Sequence, residues 1–267
     1  MQYLILPNTN IQVSRVSFGT ARLHHIFSKK KRQQILKTAF TLGITHFDTS
    51  PYYGLGLAEL ELGQFIKQHR SSVTVATKIG LYPFCSPKNR ASIVWLYKII
   101  GKIFPNLSKA QVNWSIKKAK NSLDISLKNM NTDYVDFLFL HEPNFKIINT
   151  EEFLNWLTEE FNKGKIRYWG LAGEPILLEF FIREQHPLAN IIQTRDDIIS
   201  KPSDIIFKYG RQIQFTYGYL SSYHRIKKRK IDIKDLFKIA LSRNNKGSIL
   251  FSTRNEKRLK KIVELVK

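Results

Sequence analysis

Short apolar runs alternate with longer segments of helical periodicity along this chain of 267 residues. The runs favour β-strands because they are rich in β-branched and aromatic residues, whereas the segments between them repeat apolar residues every three or four positions. Eight strands are predicted in this way: Val16–Gly19, Ile44–Phe47, Val73–Thr77, Val135–Leu140, Ile166–Leu171, Ile191–Gln193, Ile213–Tyr217 and Ser248–Phe251. Eight strand–helix units in a chain of this length predict an α/β fold, a (β/α)8 TIM barrel, with residues 1–267 as one domain.

An open, doubly wound sheet is the alternative fold for the same alternation. That fold carries a G-x-G-x-x-G turn after its first strand, and no such turn follows the first strand here. The predicted helices are Lys31–Leu42, with Ser28 as a possible N-cap, Leu57–Lys67, Gln111–Met130, Glu151–Asn162, Ile176–Arg183, Ser203–Tyr209, Ile233–Ser242 and Asn255–Val266. Residues 1–13 predict a small β-hairpin with its turn at Pro7–Asn10.

Residues 81–107 separate the third strand from its helix. Within this excursion Ile93–Phe104 is apolar, with Lys98 and Lys102 on one side, so we predict an amphipathic helix. One interpretation is a helix packed as a lid on the top of the barrel. The other is a peripheral contact of residues 92–104 with an anionic membrane surface, which basic amphipathic helices favour.

Composition narrows the class of protein. The single cysteine, Cys85, excludes an internal disulfide and suits a reducing compartment. The N-terminal residues lack the pattern of an export signal, and no apolar run is long enough to span a membrane, so we expect a cytoplasmic protein.

The net charge is +22, from 43 lysines and arginines against 21 acidic residues. A phosphate-bearing partner such as nucleic acid, an anionic membrane or a phosphorylated substrate is one explanation. The other is a proteome bias spread over solvated helix faces, and the dispersal of the charge favours it. The chain has no recognised nucleic-acid motif, so such binding ranks last among the functions considered.

Four polar side chains fall at the ends of successive predicted strands. Asp48 ends the second strand and Tyr53 follows it by five residues, Lys78 ends the third strand, and His141 ends the fourth. In a parallel barrel the carboxyl ends of the strands meet at one face, where catalytic residues usually lie. We therefore expect these four side chains to form one site.

At these residues the chain resembles the aldo-keto reductase superfamily. The matching segments are FGTARL at 18–23, GITHFDTSPYYGLGLAELELG at 43–63, ATK at 76–78, TDYVDFLFLHEP at 132–143, GKIRYWGL at 164–171 and STRNEKRL at 252–259. They extend from the first strand to the last helix. The resemblance implies a TIM barrel that reduces a small aldehyde, ketone or sugar-like carbonyl with a nicotinamide dinucleotide.

Carbonyl reduction by hydride also needs a proton donor for the developing alkoxide. Tyr53 is the expected donor, and the ammonium of Lys78 is expected to lower its pKa, with Asp48 as the counter-charge of the lysine. His141 is expected to polarise and place the substrate oxygen. Tyr52 is the rival donor, but the family's tyrosine lies five residues after the aspartate and directly before glycine, which selects Tyr53.

The resemblance also implies residues for the cofactor NADP(H). Gln193 matches the glutamine that bonds the carboxamide, and Tyr217 matches the aromatic residue that stacks on the nicotinamide. The residues that match the 2′-phosphate site are Ser252, Thr253, Arg254, Asn255 and Arg258. Phosphate at a helix N-terminus with guanidinium groups is electrostatically favourable.

Three departures from the family pattern affect the cofactor site. Ala172–Gly173 stands where the family commonly has Ser–Asn to hold the carboxamide, so those side-chain bonds are missing. Lys261–Ile262 replaces the Glu–Asn pair often found near the adenine. The long phosphate-covering loop after the seventh strand is reduced to SSYHRIKKRK at 221–230, whose basic residues either clamp the pyrophosphate or are solvated.

The expected substrate pocket includes residues beyond the four catalytic ones. Its candidate residues are Leu23, His24, Tyr52, Phe84, Glu142 and Trp169. The basic surface could steer an anionic substrate into it.

The alternative function is a cofactor-binding barrel that acts as a regulatory or scaffold subunit. The weakened carboxamide site supports this alternative, and the intact catalytic set opposes it. The sequence predicts no metal site and leaves the oligomeric state open.

Overall fold

The structure is a computed structural model that describes residues 1–84, 110–221 and 232–266. The predicted amphipathic helix at 93–104, Cys85 and nearly all of the basic 221–230 loop lie outside the described residues.

Eight parallel strands form a closed barrel, as the sequence predicts. In chain order the barrel strands are β3 (Val16–Gly19), β4 (His46–Asp48), β5 (Thr74–Ile79), β8 (Val135–His141), β9 (Ile166–Gly173), β10 (Ile191–Arg195), β11 (Phe215–Tyr217) and β12 (Ser248–Phe251). The barrel closes where β12 pairs with β3, with Ile249 opposite Val16 and Phe251 opposite Phe18. Closure leaves the barrel without an unpaired edge, so every strand has two neighbours.

Helices surround the barrel. Among the described residues they are α1 (Lys29–Thr41), α2 (Leu57–Ile66), α3 (Ile116–Met130), α4 (Thr150–Asn162), α5 (Pro175–Arg183), α6 (Asp204–Phe207), α7 (Ile233–Arg243) and α8 (Glu256–Glu264). The outward-facing strand residues and the inner helix faces make the larger hydrophobic core. Ser28 caps α1 as predicted, because its hydroxyl accepts a hydrogen bond from Lys31 N at 3.3 Å.

The predicted N-terminal hairpin is present and closes the bottom of the barrel. Strands β1 (Tyr3–Ile5) and β2 (Gln12–Ser14) pair antiparallel. Leu6 and Val13 of this hairpin are buried and pack with Phe137 and Phe215 of the barrel interior. Because the bottom is filled by these side chains, the open space of the barrel lies at the carboxyl ends of the strands.

The predicted helix over Gln111–Met130 is too long at its N-terminus. Gln111–Val112 is a short strand, β7, paired antiparallel with Leu81–Tyr82, β6. The helix begins only at Ile116, because Ser115 takes the N-cap position and accepts from Lys118 N. The spacing of apolar residues alone does not reveal an N-cap, so the sequence prediction began the helix five residues too early.

No helix among the described residues is both long and apolar enough to cross a bilayer.

Candidate active site

Three consecutive barrel strands carry the predicted catalytic residues to the same end of the barrel. Asp48 is the last residue of β4, Lys78 is the penultimate residue of β5, and His141 is the last residue of β8. β4 pairs with β5 and β5 pairs with β8, so the three side chains are neighbours. Tyr53 lies in the loop between β4 and α2, and its ring stands perpendicular to that of His141 with the centroids 6.3 Å apart.

Lys78 and Asp48 form a buried ion pair at the base of the site. Lys78 Nζ donates to Asp48 Oδ1 at 2.5 Å and to the carbonyl oxygen of Thr49 at 2.8 Å. Gln193 Nε2 also donates to Asp48 Oδ1, at 3.0 Å. Burial raises the pKa of Asp48 and lowers the pKa of Lys78, and the opposite charge of each partner counteracts both changes. Two hydrogen bonds thus fix the position of the ammonium, and a third, from Gln193, holds its carboxylate partner.

Tyr53 lies against this pair, but its pKa moves in the direction opposite to the one expected. Lys78 Nζ is 5.0 Å from the centroid of the Tyr53 ring. Burial raises the pKa of Tyr53 well above 10, and the negative charges of Asp48 and Glu142 raise it further. The expectation that Lys78 makes the phenol acidic is therefore wrong for this structure, because burial of the phenol, reinforced by the charge of Asp48, raises its pKa. The phenol is protonated at neutral pH and has a proton to give.

His141 is a neutral imidazole at neutral pH. Burial, followed by the charge of Lys78, lowers its pKa to about 3. Its Nδ1 atom is buried and has no hydrogen-bond partner among the described residues. A neutral ring can donate or accept one hydrogen bond without bringing a further charge into the site.

These groups line a cavity of about 400 Å³ at the top of the barrel. Asp48, Tyr53, Lys78 and His141 all belong to its wall, together with four of the residues predicted to hold the cofactor, namely Gln193, Tyr217, Ser252 and Arg258. The cavity also reaches the backbone of Ala172 and Gly173. The structure thus brings the four predicted catalytic residues and four of the seven predicted cofactor residues to one concave site of the size that small molecules occupy.

The wall of this cavity fits a nicotinamide dinucleotide. Gln193 Oε1 is buried and lacks a partner among the described residues, so the amide can still accept a hydrogen bond from a ligand. Tyr217 presents an aromatic side chain to the same space. Arg258, in the first turn of α8, lies where the positive end of the helix and a guanidinium group both favour a phosphate.

Three residues predicted for the 2′-phosphate lie outside the cavity wall as described. Asn255 is the N-cap of α8, and its Oδ1 accepts from Arg258 N at 3.1 Å. The hydroxyl of Thr253 accepts from Asn255 N at 3.2 Å. Arg254 is exposed. The side chains of Asn255 and Thr253 therefore shape the start of the helix, which leaves Arg258 and Ser252 facing the cavity.

Two of the predicted substrate residues are wrong. Trp169 points away from the barrel interior, because side chains alternate along β9 and its neighbour Tyr168 points inward. It packs instead against Phe161 of α4. Leu23 is only 2% exposed and belongs to the core between the barrel and its helices.

The other four predicted substrate residues lie near the site without forming the wall of the described cavity. His24 packs over Gly54, directly beside Tyr53. Tyr52 is half-buried, and Phe84 is exposed at the edge of the described residues. Glu142 follows His141, and its charge acts on Tyr53. Their roles toward substrate stay predictions.

Sequence reasoning missed several residues of the cavity wall, among them Arg22 and Tyr219. Tyr219 donates to the buried carboxylate of Asp196 at 2.6 Å. Arg22 stands in the FGTARL segment, three residues after the end of β3, and this position was the signal that could have identified it.

The described ranges contain no group of three or more histidine, cysteine or acidic side chains placed to hold a metal ion.

Comparison with known proteins places this site in a family. The family model for the aldo/keto reductase family matches residues 15–178. Among curated relatives, L-galactose dehydrogenase of Arabidopsis thaliana is 31% identical over 190 residues, which are 68% of this chain and 51% of that protein. Aldo-keto reductase YhdN of Bacillus subtilis is 28% identical over 229 residues, which are 82% of this chain and 62% of that protein. The chain thus covers less than two thirds of the length of either relative.

A solved structure supports the fold independently. The holo form of an aldo-keto reductase from Bacillus halodurans superposes with a TM-score of 0.79 at 19% identity, over 100% of this chain and 91% of that one. The family match covers more than half of the chain and includes the strand ends that carry Asp48, Lys78 and His141. The chain belongs to the aldo/keto reductase family.

Proposed function

We propose that this protein is an NADPH-dependent oxidoreductase that reduces a small aldehyde, ketone or sugar-like carbonyl to an alcohol. The observation that carries the proposal is the position of Tyr53, whose ring lies against both the Lys78 ammonium and the His141 ring in one cavity. Family membership supports a nicotinamide-dependent carbonyl reduction in general. We further propose that residues 1–267 form one barrel domain.

Each side chain of the site has a role in this reaction. When bound, the dinucleotide supplies a hydride to the carbonyl carbon. Tyr53 gives its phenolic proton to the carbonyl oxygen as negative charge develops there. Lys78 stabilises the phenolate that remains, and Asp48 holds Lys78 in place. His141 bonds the same oxygen and orients it toward Tyr53.

The raised pKa of Tyr53 agrees with a donor role. A phenol that stays protonated at neutral pH is ready for reduction, whereas the reverse oxidation needs its phenolate. A nearby positive charge is required to offset the cost of forming that phenolate in a buried site. Lys78 is the described cation closest to the ring, at 5.0 Å from its centroid.

We assign the cofactor by the residues that face the cavity. Gln193 and Tyr217 hold the nicotinamide end, and Arg258 with Ser252 holds the adenosine 2′-phosphate. Because NADH lacks that phosphate, an arginine dedicated to it favours NADPH. The substrate class rests on the family and on a relative named for a sugar, L-galactose dehydrogenase.

A carbonyl panel tests the function. The purified protein is mixed with NADPH and a series of aldehydes, ketones and open-chain sugars, and NADPH consumption is followed by absorbance. We expect turnover on at least one carbonyl, with the product identified as its alcohol. Tight binding of NADPH by calorimetry with no turnover on any carbonyl would instead indicate a cofactor-binding scaffold.

A further inference from the structure

Glu142 has a backbone conformation that few residues adopt. Its φ is +52°, in the left-handed region that is unfavourable for a residue with a Cβ atom. Its backbone N–H donates to the carbonyl oxygen of Ala172 at 2.7 Å, directly after the pairing of His141 with Ala172. This turn directs the chain across the rim between β8 and β9, at the point where the described cavity reaches Gly173.

The carboxylate of Glu142 occupies the space that a side chain at position 173 would take. A Cβ atom built on Gly173 would lie 2.9 Å from Glu142 Oε2 and 3.3 Å from Glu142 Cδ. Glu142 Oε2 also accepts a hydrogen bond from Glu174 N at 3.2 Å. The other oxygen, Oε1, has no hydrogen-bond partner among the residues that the structure describes. A side chain at position 173 would therefore compete for space with the carboxylate of Glu142, which directly follows the neighbouring strand β8.

The charge of Glu142 acts on both aromatic groups of the cavity. It raises the pKa of Tyr53 and is the largest of the charge effects that raise the pKa of Tyr217. The geometry agrees, since the Glu142 carboxylate lies directly beside Gly173, whose backbone lines the same cavity as both phenols.

We propose that Glu142 accepts a hydrogen bond from the carboxamide NH2 of the nicotinamide, replacing the side chains that Ala172 and Gly173 lack. This assignment rests on the proposed function. The carboxamide nitrogen is a donor, and a carboxylate is an acceptor with capacity left at Oε1. Gln193 Oε1, which is buried and unpartnered within the described residues, offers a second acceptor to the same group.

The test measures binding rather than turnover. Dissociation constants are obtained by calorimetry for NADPH and for the reduced 3-acetylpyridine analogue, whose acetyl group has no N–H to donate. In E142A we expect NADPH to bind roughly ten- to a hundredfold more weakly, the usual loss for one hydrogen bond to a charged group. The analogue should bind E142A and the original protein within about twofold, because it never made that bond.

Two further variants separate this hydrogen bond from a general disturbance. E142Q keeps an acceptor oxygen and should recover most of the affinity for NADPH. E174A removes a neighbouring carboxylate that pairs with Arg195, and should leave the preference for NADPH over the analogue unchanged. Thermal unfolding of each variant confirms that it is folded before its binding is compared.

A restoration variant makes the test sharper. In E142A/G173N the space left by the carboxylate becomes available to an amide side chain. We expect this double variant to regain the preference for NADPH over the analogue that E142A loses. In G173N alone the new side chain and the Glu142 carboxylate compete for one space, so we expect weaker NADPH binding than in the double variant.

The outcomes that overturn the assignment are distinct. An equal loss of affinity for NADPH and for the analogue in E142A means that Glu142 does not bond the carboxamide. Unchanged dinucleotide binding with a raised KM for hydroxylated aldehydes means that Glu142 binds substrate instead. If the original protein binds neither dinucleotide, the proposed function itself fails.

Discussion

Lys78 Nζ lies 2.5 Å from Asp48 Oδ1, and each side chain is only 2% exposed. Asp48 is the last residue of β4 and Lys78 the penultimate residue of the neighbouring strand β5, so their contact ties the position of the ammonium to the rigid part of the fold. Removing one member of such a pair leaves the other charge buried without compensation, which costs far more free energy than the pair itself contributes. This relationship links the stability of the barrel to its proposed chemistry.

Lys78→Met should therefore affect both properties. We expect the free energy of unfolding to fall by about 3–5 kcal/mol, because the Asp48 carboxylate loses its counter-charge. Turnover should fall by orders of magnitude, since the phenolate of Tyr53 is no longer stabilised. Urea unfolding measures the first effect and steady-state kinetics the second.

The double variant Lys78→Met/Asp48→Asn is the matched control. It removes the buried charge and should regain part of the lost stability without regaining turnover. Recovery of turnover in the double variant would show that Lys78 acts only by supporting the fold.

Arg258 should determine the choice between NADPH and NADH. Arg258→Ala is expected to weaken NADPH binding at least about tenfold, the effect of losing a charge-assisted bond to the 2′-phosphate, and to leave NADH binding unchanged. Arg254→Ala is the control. Arg254 is an exposed arginine four residues earlier that lies outside the cavity wall, whereas Arg258 lies in it. Calorimetric titration of both cofactors decides, and equal affinity for the two in the original protein would overturn the assignment.

Stability should decrease in acid because of His46. This residue is fully buried in the barrel, stacked on Phe215 with ring centroids 4.3 Å apart, and burial lowers its pKa to about 3. The unfolded chain binds a proton at His46 below a pH of about 6.5, whereas the folded chain does so only below about 3. Between these values, falling pH should reduce the unfolding free energy by up to about 1.4 kcal/mol per pH unit for this group.

His46→Phe tests that dependence because it keeps an aromatic ring and removes the titrating group. The slope of unfolding free energy against pH should become shallower between about pH 6 and 4, whatever the change in absolute stability. A slope unchanged in His46→Phe would show that His46 is not neutral in the folded protein.

Much of the fold could be predicted because the barrel repeats one simple pattern. The bounds of Val16–Gly19 and Ser248–Phe251 agree with the sequence prediction at both ends, since apolar strand residues give way to glycine or to polar residues there. The placement of Asp48, Lys78 and His141 at strand ends follows from the same pattern.

The errors arise from properties that depend on tertiary structure. Trp169 was misplaced because the face of a strand residue depends on register, and one step along β9 changes inward to outward. The pKa of Tyr53 depends on desolvation and on the nearby charges of Asp48 and Glu142, which a motif does not specify. The space beside Gly173 is filled by a residue 31 positions earlier, and only the folded barrel brings the two together.

The central claim is that Tyr53 donates the proton. Tyr53→Phe removes a single hydroxyl, and its neighbour Tyr52→Phe is the matched control because Tyr52 lies outside the wall of the described cavity. With NADPH and the best carbonyl of the panel, we expect kcat of Tyr53→Phe to fall by about 10²–10⁴-fold, with NADPH affinity unchanged, and kcat of Tyr52→Phe to stay within a few-fold of the original. A Tyr53→Phe variant that keeps its kcat would contradict the account.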